Sequence, residues 1–250
     1  MWRWFGTAPA ATFTAPTPWV DMHTHVLPGV DDGAATLAHA LAMLRAAHAV
    51  GITHIIATAH YTERYAADEE SLRAAYDRLC AQCGADGVTV VVTRGREVSF
   101  TDTHLAAVRG DARLCMPNGK FALIETPEGL NAGAMIEGFF ALSVAGIQPI
   151  LAHPERSWTF QQQPAMLEKV RQHGVLLQVD AQSIMGNHGS AAKRLALDLL
   201  ARDAADMLSS DAHCPEDFTI LQRACGVVQA RYGATLATQL VSGTPARLLP

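Results

Sequence analysis

The chain has 250 residues, 49% of them hydrophobic and 17% charged, which suffices to bury a large core as one α/β domain or two small ones. Its 19 basic and 24 acidic residues give a net charge of −5, so no cationic excess is left to track a nucleic-acid backbone. No segment approaches the roughly 18 consecutive apolar residues that a membrane helix requires, which excludes membrane insertion of that kind.

The first eighteen residues, MWRWFGTAPAATFTAPTP, are broken by three prolines and lack the apolar core of a signal peptide. They are expected to form a poorly ordered arm, residues 1–18, ahead of a single domain at 19–250. Trp2, Trp4 and Phe5 could dock on that domain or on a partner, or fray. Five cysteines at irregular spacing argue for a reducing, cytoplasmic setting over a disulfide framework.

From there short β-rich runs alternate with helical patterns. WVDMHTH is read as a strand, AATLAHALAMLRAAHAV as a helix and ITHIIATA as the second strand. YDRLCAQCG reads as the last turns of a helix before a glycine cap, which gives the Cys80–Cys83 pair a structural role. VTVVVTRGREV, KFALIET, IQPILAH and VLLQVDA supply four further strands, SAAKRLALDLLARDA a helix, and DMLSSDA the seventh strand. FTILQRACGVVQARYG then reads as helix interior. The letters C-x5-R at Cys225–Arg231 therefore lack the strand and turn that a cysteine-based phosphate loop needs. Seven units of about 30 residues predict a parallel α/β sheet with helical crossovers, either doubly wound or closed into a barrel.

The ends of the strands decide between these two. His23 and His25 close the first run, His60 follows the second and Glu97 closes the third. Glu125, His153, Asp180 and the Asp211–His213 pair end the remaining four. In an open sheet the outer strand ends lie too far apart to share a site. In a closed barrel all of them face one mouth, so the pattern favours a barrel.

Residues i and i+2 of a strand project to the same side, so His23 and His25 can grip one cation. In the Gly-flanked loop after them, one of Asp31 and Asp32 is expected to add a ligand and the other to cap a helix starting near Ala34. So many buried imidazoles and carboxylates would cost several kcal/mol apiece if left unpaired. Multivalent cations remove that cost, and mixed nitrogen and oxygen donors suit manganese, iron or zinc.

DMHTH, GVDDG, GITHIIATAH, GREVSF, LIETPEG, LAHPER and SSDAH together resemble the PHP (polymerase and histidinol phosphatase) superfamily. Within it they are most similar to the manganese-dependent bacterial tyrosine phosphatases of capsule and exopolysaccharide operons. The resemblance runs from about Val20 to the terminal TPARLL, and it implies a distorted (β/α)7 TIM-like barrel, the PHP fold. It also implies three divalent metal ions, with manganese favoured. His23, His25, Glu97 and Asp211 would hold one, Glu97, Glu125 and His153 a second, and Asp32, His60 and His213 the third. The implied substrate is a phosphotyrosine protein, the tail of a bacterial tyrosine kinase. The resemblance leaves a homo-oligomer open.

Three divalent ions against four carboxylates and one hydroxide leave about one positive charge where a phosphate dianion would sit. Metal coordination lowers the pKa of water towards neutrality, giving a nucleophile for in-line attack on phosphorus. Arg156 could fork onto the developing charge, or could form a salt bridge with Glu155 or another acid. A phenol leaving group, with a pKa near 10, depends less on a general acid than an aliphatic alcohol does. Asp180 could support a ligand from behind.

The chain departs from its relatives at two places. Where they commonly read ATPHH, this one reads ATAHY, placing Ala59 and Tyr61 at the mouth with Arg64 nearby. The family also tends to carry an arginine shortly after its final DxH, and here Phe218 stands at about that position. Two other functions fit the same residues: a small-molecule phosphatase for histidinol phosphate or a sugar phosphate, and a non-catalytic protein that keeps metals for stability.

Overall fold

The computed structural model describes residues 13–250. Nine short strands are formed: β1 (Val20–Thr24), β2 (His54–Ala57), β3 (His60–Tyr61), β4 (Val91–Arg94), β5 (Glu97–Ser99), β6 (Phe121–Glu125), β7 (Gln148–Ala152), β8 (Leu176–Asp180) and β9 (Met207–Ser209). All pair in parallel. β2 and β3 are two halves of one expected strand, interrupted at Thr58–Ala59, and β4 and β5 are likewise split at Gly95–Arg96. That leaves seven strand positions, as the sequence predicts.

The order β1-β2-β4 continues through the paired halves into β3-β5-β6-β7-β8-β9. Closure comes from a parallel bridge between Thr24 and Ala212. It is fastened by His25 N–H to the Ala212 carbonyl at 2.9 Å and by Asp211 N–H to the His23 carbonyl at 3.1 Å. The result is a nearly closed barrel with helices around it, so the expectation of a barrel over an open sheet holds.

The crossovers are α1 (Leu37–Val50), α2 (Glu69–Asp86), α3 (Asp102–Gly110), α4 (Ala132–Val144), α5 (Trp158–Gln162), α6 (Ala165–Gln172), α7 (Ala181–Met185), α8 (Gly189–Ala201), α9 (Glu216–Tyr232) and α10 (Ala234–Thr238). α1 starts three residues later than expected, because Thr36 and neither aspartate caps it, accepting from His39 N–H at 3.2 Å. α2 runs through Gly84 and stops at Gly87, whose φ of 68° supplies the left-handed cap. Cys80 and Cys83 thus lie inside the helix, and all five cysteines are free. No helix among the described residues is long and apolar enough to cross a membrane.

Two apolar layers hold this arrangement. One lies between sheet and helices; the other fills the barrel and includes Val20, Met22, Ile56, Phe121, Leu123, Ile150 and Met207. Val20 and Met22 face inward, so strict alternation would send His23 and His25 outward. A register shift between Asp21 and Thr24 inserts one residue and reverses that parity. Both histidines therefore enter the mouth above the apolar filling. At the other end of the expected arm, Phe13 is buried with its ring edge-on to Trp19, centroids 5.1 Å apart. Thr14, Ala15 and Thr17 after it are exposed, while Trp2, Trp4 and Phe5 lie outside the described residues.

Candidate metal centre

All nine side chains singled out as ligands meet at the mouth. They form four overlapping groups whose donor atoms lie within 4.8 Å of one another. The groups are His25, Asp32, His60 and His213; His23, His25 and Glu97; His23, His153 and Asp211; and His60, Glu97 and Glu125. Glu97 sits at the centre. Its Oε2 lies 3.2 Å from His23 Nε2, 3.4 Å from His25 Nε2 and 2.9 Å from His60 Nδ1, and its Oε1 lies 3.0 Å from His153 Nε2. Asp211 Oδ1 is 3.3 Å from His23 Nε2 and 3.2 Å from His25 Nε2. Further out, Asp32 Oδ1 stands 3.4 Å from His60 Nε2 and 3.5 Å from His213 Nε2. Glu125 is 3.9 Å from His153.

The histidines are held from behind. His23 Nδ1 faces Gln178 Oε1 at 3.1 Å, His25 Nδ1 faces Asp31 Oδ2 at 2.8 Å, and His213 Nδ1 faces the Asp211 carbonyl at 2.8 Å. A proton donated on the Nδ1 side leaves each Nε2 lone pair directed into the cage, as metal-ligating histidines require. Asp31 therefore orients a ligand and caps no helix; it also accepts from Gly33 N–H and His60 N–H. Gly33 is required here, because a Cβ on it would lie 2.1 Å from the His25 carbonyl oxygen.

The electrostatics ask for cations. Burial pulls the His23 imidazole down, but the Glu97 and Asp211 carboxylates outweigh it and raise it to about 9. Burial works against the charged forms of Glu97 and Asp211 too, yet the surrounding imidazoles hold both well below the usual carboxylate range. Glu97 Oε2, Asp211 Oδ1 and His60 Nδ1 are buried with no hydrogen-bond partner. Such orphaned acceptors are rare unless something absent satisfies them. Nitrogen and carboxylate donors converging in this way fit divalent metals of the manganese, iron and zinc kind. Two of these residues, His153 and Asp211, also hold positive φ angles of 29° and 50°. Non-glycine residues adopt such a backbone at a cost of roughly 1–3 kcal/mol, commonly at functional sites.

Residues 19–250 match the model of the capsular polysaccharide synthesis family CpsB/CapC. The chain belongs to the CpsB/CapC family. It is 29% identical to the tyrosine-protein phosphatase YwqE of Bacillus subtilis (strain 168), covering 88% of each chain. It is 22% identical to the tyrosine-protein phosphatase CpsB of Streptococcus pneumoniae, over 92% of this chain and 98% of that one. A solved structure from work on Bacillus subtilis YwqE and Streptococcus pneumoniae CpsB, described as unique metal-dependent tyrosine phosphatases, superposes with a TM-score of 0.83 at 29% identity. It covers 92% of this chain and 94% of its own.

The departures of this CpsB/CapC member acquire a place in the fold. Tyr61 turns away from the cage, stacking under Arg96 at 5.3 Å and beside His104 at 4.9 Å, as strand alternation demands once His60 faces inward. Phe218 is fully buried on α9 and does not line the cavity at the mouth. Its neighbour Asp217 instead accepts from His213 N–H at 2.8 Å and Cys214 N–H at 3.0 Å, fixing the loop that presents His213. Cys225 is buried in α9 with its thiol pushed well up by burial, which disposes of the C-x5-R reading.

Arg156 donates to Asp211 Oδ2 at 2.5 Å and lies 3.7 Å from Asp180 Oδ2. Glu155 is not its partner; that buried carboxylate accepts from Asp180 N–H at 2.9 Å. Asp180 is fully buried, 3.2 Å from His188 Nδ1, and stands behind Arg156 without reaching the cage. The sequence reasoning missed Gln178, whose Oε1 serves both His23 Nδ1 and His153 N–H. A lone amide inside the apolar run VLLQVDA was the available signal.

Proposed function

We propose that this CpsB/CapC protein is a metal-dependent protein-tyrosine phosphatase, a phosphoric monoester hydrolase. Its substrate is the phosphotyrosine tail of a bacterial tyrosine kinase that controls capsule or exopolysaccharide synthesis. The ligands are His23, His25, Asp32, His60, Glu97, Glu125, His153, Asp211 and His213, holding three divalent ions, with manganese favoured. The supporting observation is the buried cage itself, in which Glu97 and Asp211 present unpartnered oxygens to imidazole nitrogens.

Bound divalent cations supply water of lowered pKa and neutralise charge on a phosphoryl group. The chain's own residues do the rest. Gln178, Asp31 and the Asp211 carbonyl fix imidazole orientation. Arg156, half-exposed in the cavity and tethered to Asp211, offers its remaining N–H groups to a phosphoryl oxygen. The cavity, about 270 Å³, has room for a phosphoryl group beside these residues. A phenolate departs without a strong proton donor, which suits a cavity whose side chains are mostly ligands.

The deciding experiment measures metal content of the purified protein and its rates on phosphotyrosyl peptides, phosphoserine peptides and histidinol phosphate. Preference for the phosphotyrosyl peptide with bound manganese is expected. Preference for histidinol phosphate overturns the substrate assignment, and absence of both metal and hydrolysis overturns the enzyme.

A further inference from the structure

Beside the metal cavity lies a second, larger one of about 640 Å³. The two share Thr62, Arg64, Glu125, His153 and Arg156, so they open into each other at the rim of β5, β6 and β7. Its walls away from that junction include the apolar Phe100, Pro127 and Pro154 together with hydroxyl side chains and the carboxylates of Glu63 and Glu128. Phe100 is buried against Phe139 with centroids 5.4 Å apart, so this wall is backed by the core.

The two arginines at the junction differ. Arg156 is committed to Asp211. Arg64 is exposed, lies 5.0 Å over the Tyr65 ring, and has no carboxylate partner among the described residues. Tyr65 stacks in turn on His60, centroids 5.6 Å apart and rings 12° from parallel. The loop bearing them is fastened by the buried Arg96, which donates to the His60 carbonyl at 2.7 Å. Arg64 is thus a free guanidinium on an anchored loop, facing a site built for phosphate.

We propose that the larger cavity is the subsite for the phosphotyrosine ring and its flanking backbone, and that Arg64 clamps the phosphoryl oxygens where the two cavities meet. This rests on the phosphatase reading above and goes further by assigning the pose. A phosphoryl group seated among the ligands directs its ester oxygen to the open side, and the apolar walls lie there. A phenol ring fills only part of 640 Å³, leaving room for peptide on either side. Arg64 comes from the β3–α2 loop and supplies a cation to the mouth where Phe218 supplies none.

The test compares two probes on the manganese-loaded full chain by calorimetry: inorganic phosphate, which needs only the metal cavity, and a peptide carrying phosphonomethylphenylalanine, which needs both. The peptide is expected to bind at least about tenfold tighter than phosphate. Thr126→Trp and Ser157→Trp, each filling part of the groove, should abolish that advantage while phosphate affinity is retained; the retained affinity shows a folded, loaded centre. Arg64→Ala should weaken both probes about tenfold, with partial rescue by Arg64→Lys, which keeps the charge and loses the fork. Equal affinity of the wild type for both probes, or an undiminished advantage in both tryptophan variants, overturns the subsite. Unchanged phosphate affinity in Arg64→Ala overturns the clamp. A chain that shows the aryl preference but hydrolyses no phosphotyrosyl peptide overturns the substrate assignment alone.

Discussion

The barrel strands run from an apolar floor to a polar mouth, and the two ends are stabilised by different physics. At the floor Val20, Phe121, Ile150 and Met207 pack against one another and need no partner. At the mouth Glu97 and Asp211 are also buried but leave acceptors unsatisfied. Removing an atom from the floor costs folding energy directly. On the proposed function, removing one from the mouth costs activity and metal-linked stability, because the cage becomes a stabilising element only with cations in it. The contrast teaches that burial alone does not identify a core.

The sharpest way to break this contrast is Glu97→Gln, which keeps shape and removes the central charge. Hydrolysis should fall by about 10³-fold or more, roughly 4 kcal/mol of barrier. Metal analysis should show depletion, while circular dichroism shows a folded barrel. In the wild type, chelation should lower Tm; in Glu97→Gln that shift should shrink. A fully active Glu97→Gln protein would rule out the metal centre.

Phe121→Ala probes the floor. Truncating this buried ring should cost about 3–5 kcal/mol of stability in denaturant titration. Metal content, KM and the chelation shift in Tm should match the wild type. If metal content fell with stability, the two ends would be one cooperative unit and the division would fail.

Arg156→Ala addresses the rim. Losing one donor at a transition state costs about 10²-fold in rate, and that loss should appear in kcat. Arg156 also braces Asp211, so metal content must be measured alongside. A rate loss with full metal occupancy supports phosphoryl contact, whereas a loss restored by excess manganese assigns Arg156 to positioning Asp211.

The mouth is legible in the sequence because an ionisable side chain at the end of an apolar β-run is costly to bury unless something pairs it. His60, Glu97, Glu125 and His153 stand out in this way from ITHIIATAH, GREV, LIET and LAH. The fold class follows, since seven converging strand ends require closure. Other features are tertiary and leave no local mark. The one-residue bulge in β1, which turns His23 and His25 inward, depends on pairing with β2. The Asp31–Asp32 pair can be read as one ligand and one partner, but not in which role each serves, because adjacent aspartates differ only in which way the loop turns. Asp31, expected as a helix cap or a ligand, instead holds His25.

That assignment yields the smallest effect and the finest test. Asp31→Asn keeps an acceptor opposite His25 Nδ1 but removes a carboxylate, which the His25 hydrogen bond and charge keep ionised against the pull of burial. Losing such a supporting partner weakens metal binding about 10- to 100-fold. Asp32→Ala removes a direct donor from the group it forms with His25, His60 and His213. The two variants should therefore separate under manganese titration. Asp31→Asn should recover activity at high manganese, because its cage keeps every donor. Asp32→Ala should remain impaired at saturation, because no concentration restores a missing oxygen. The reverse pattern would exchange the roles of the two aspartates, making Asp31 the direct donor and Asp32 the supporting partner.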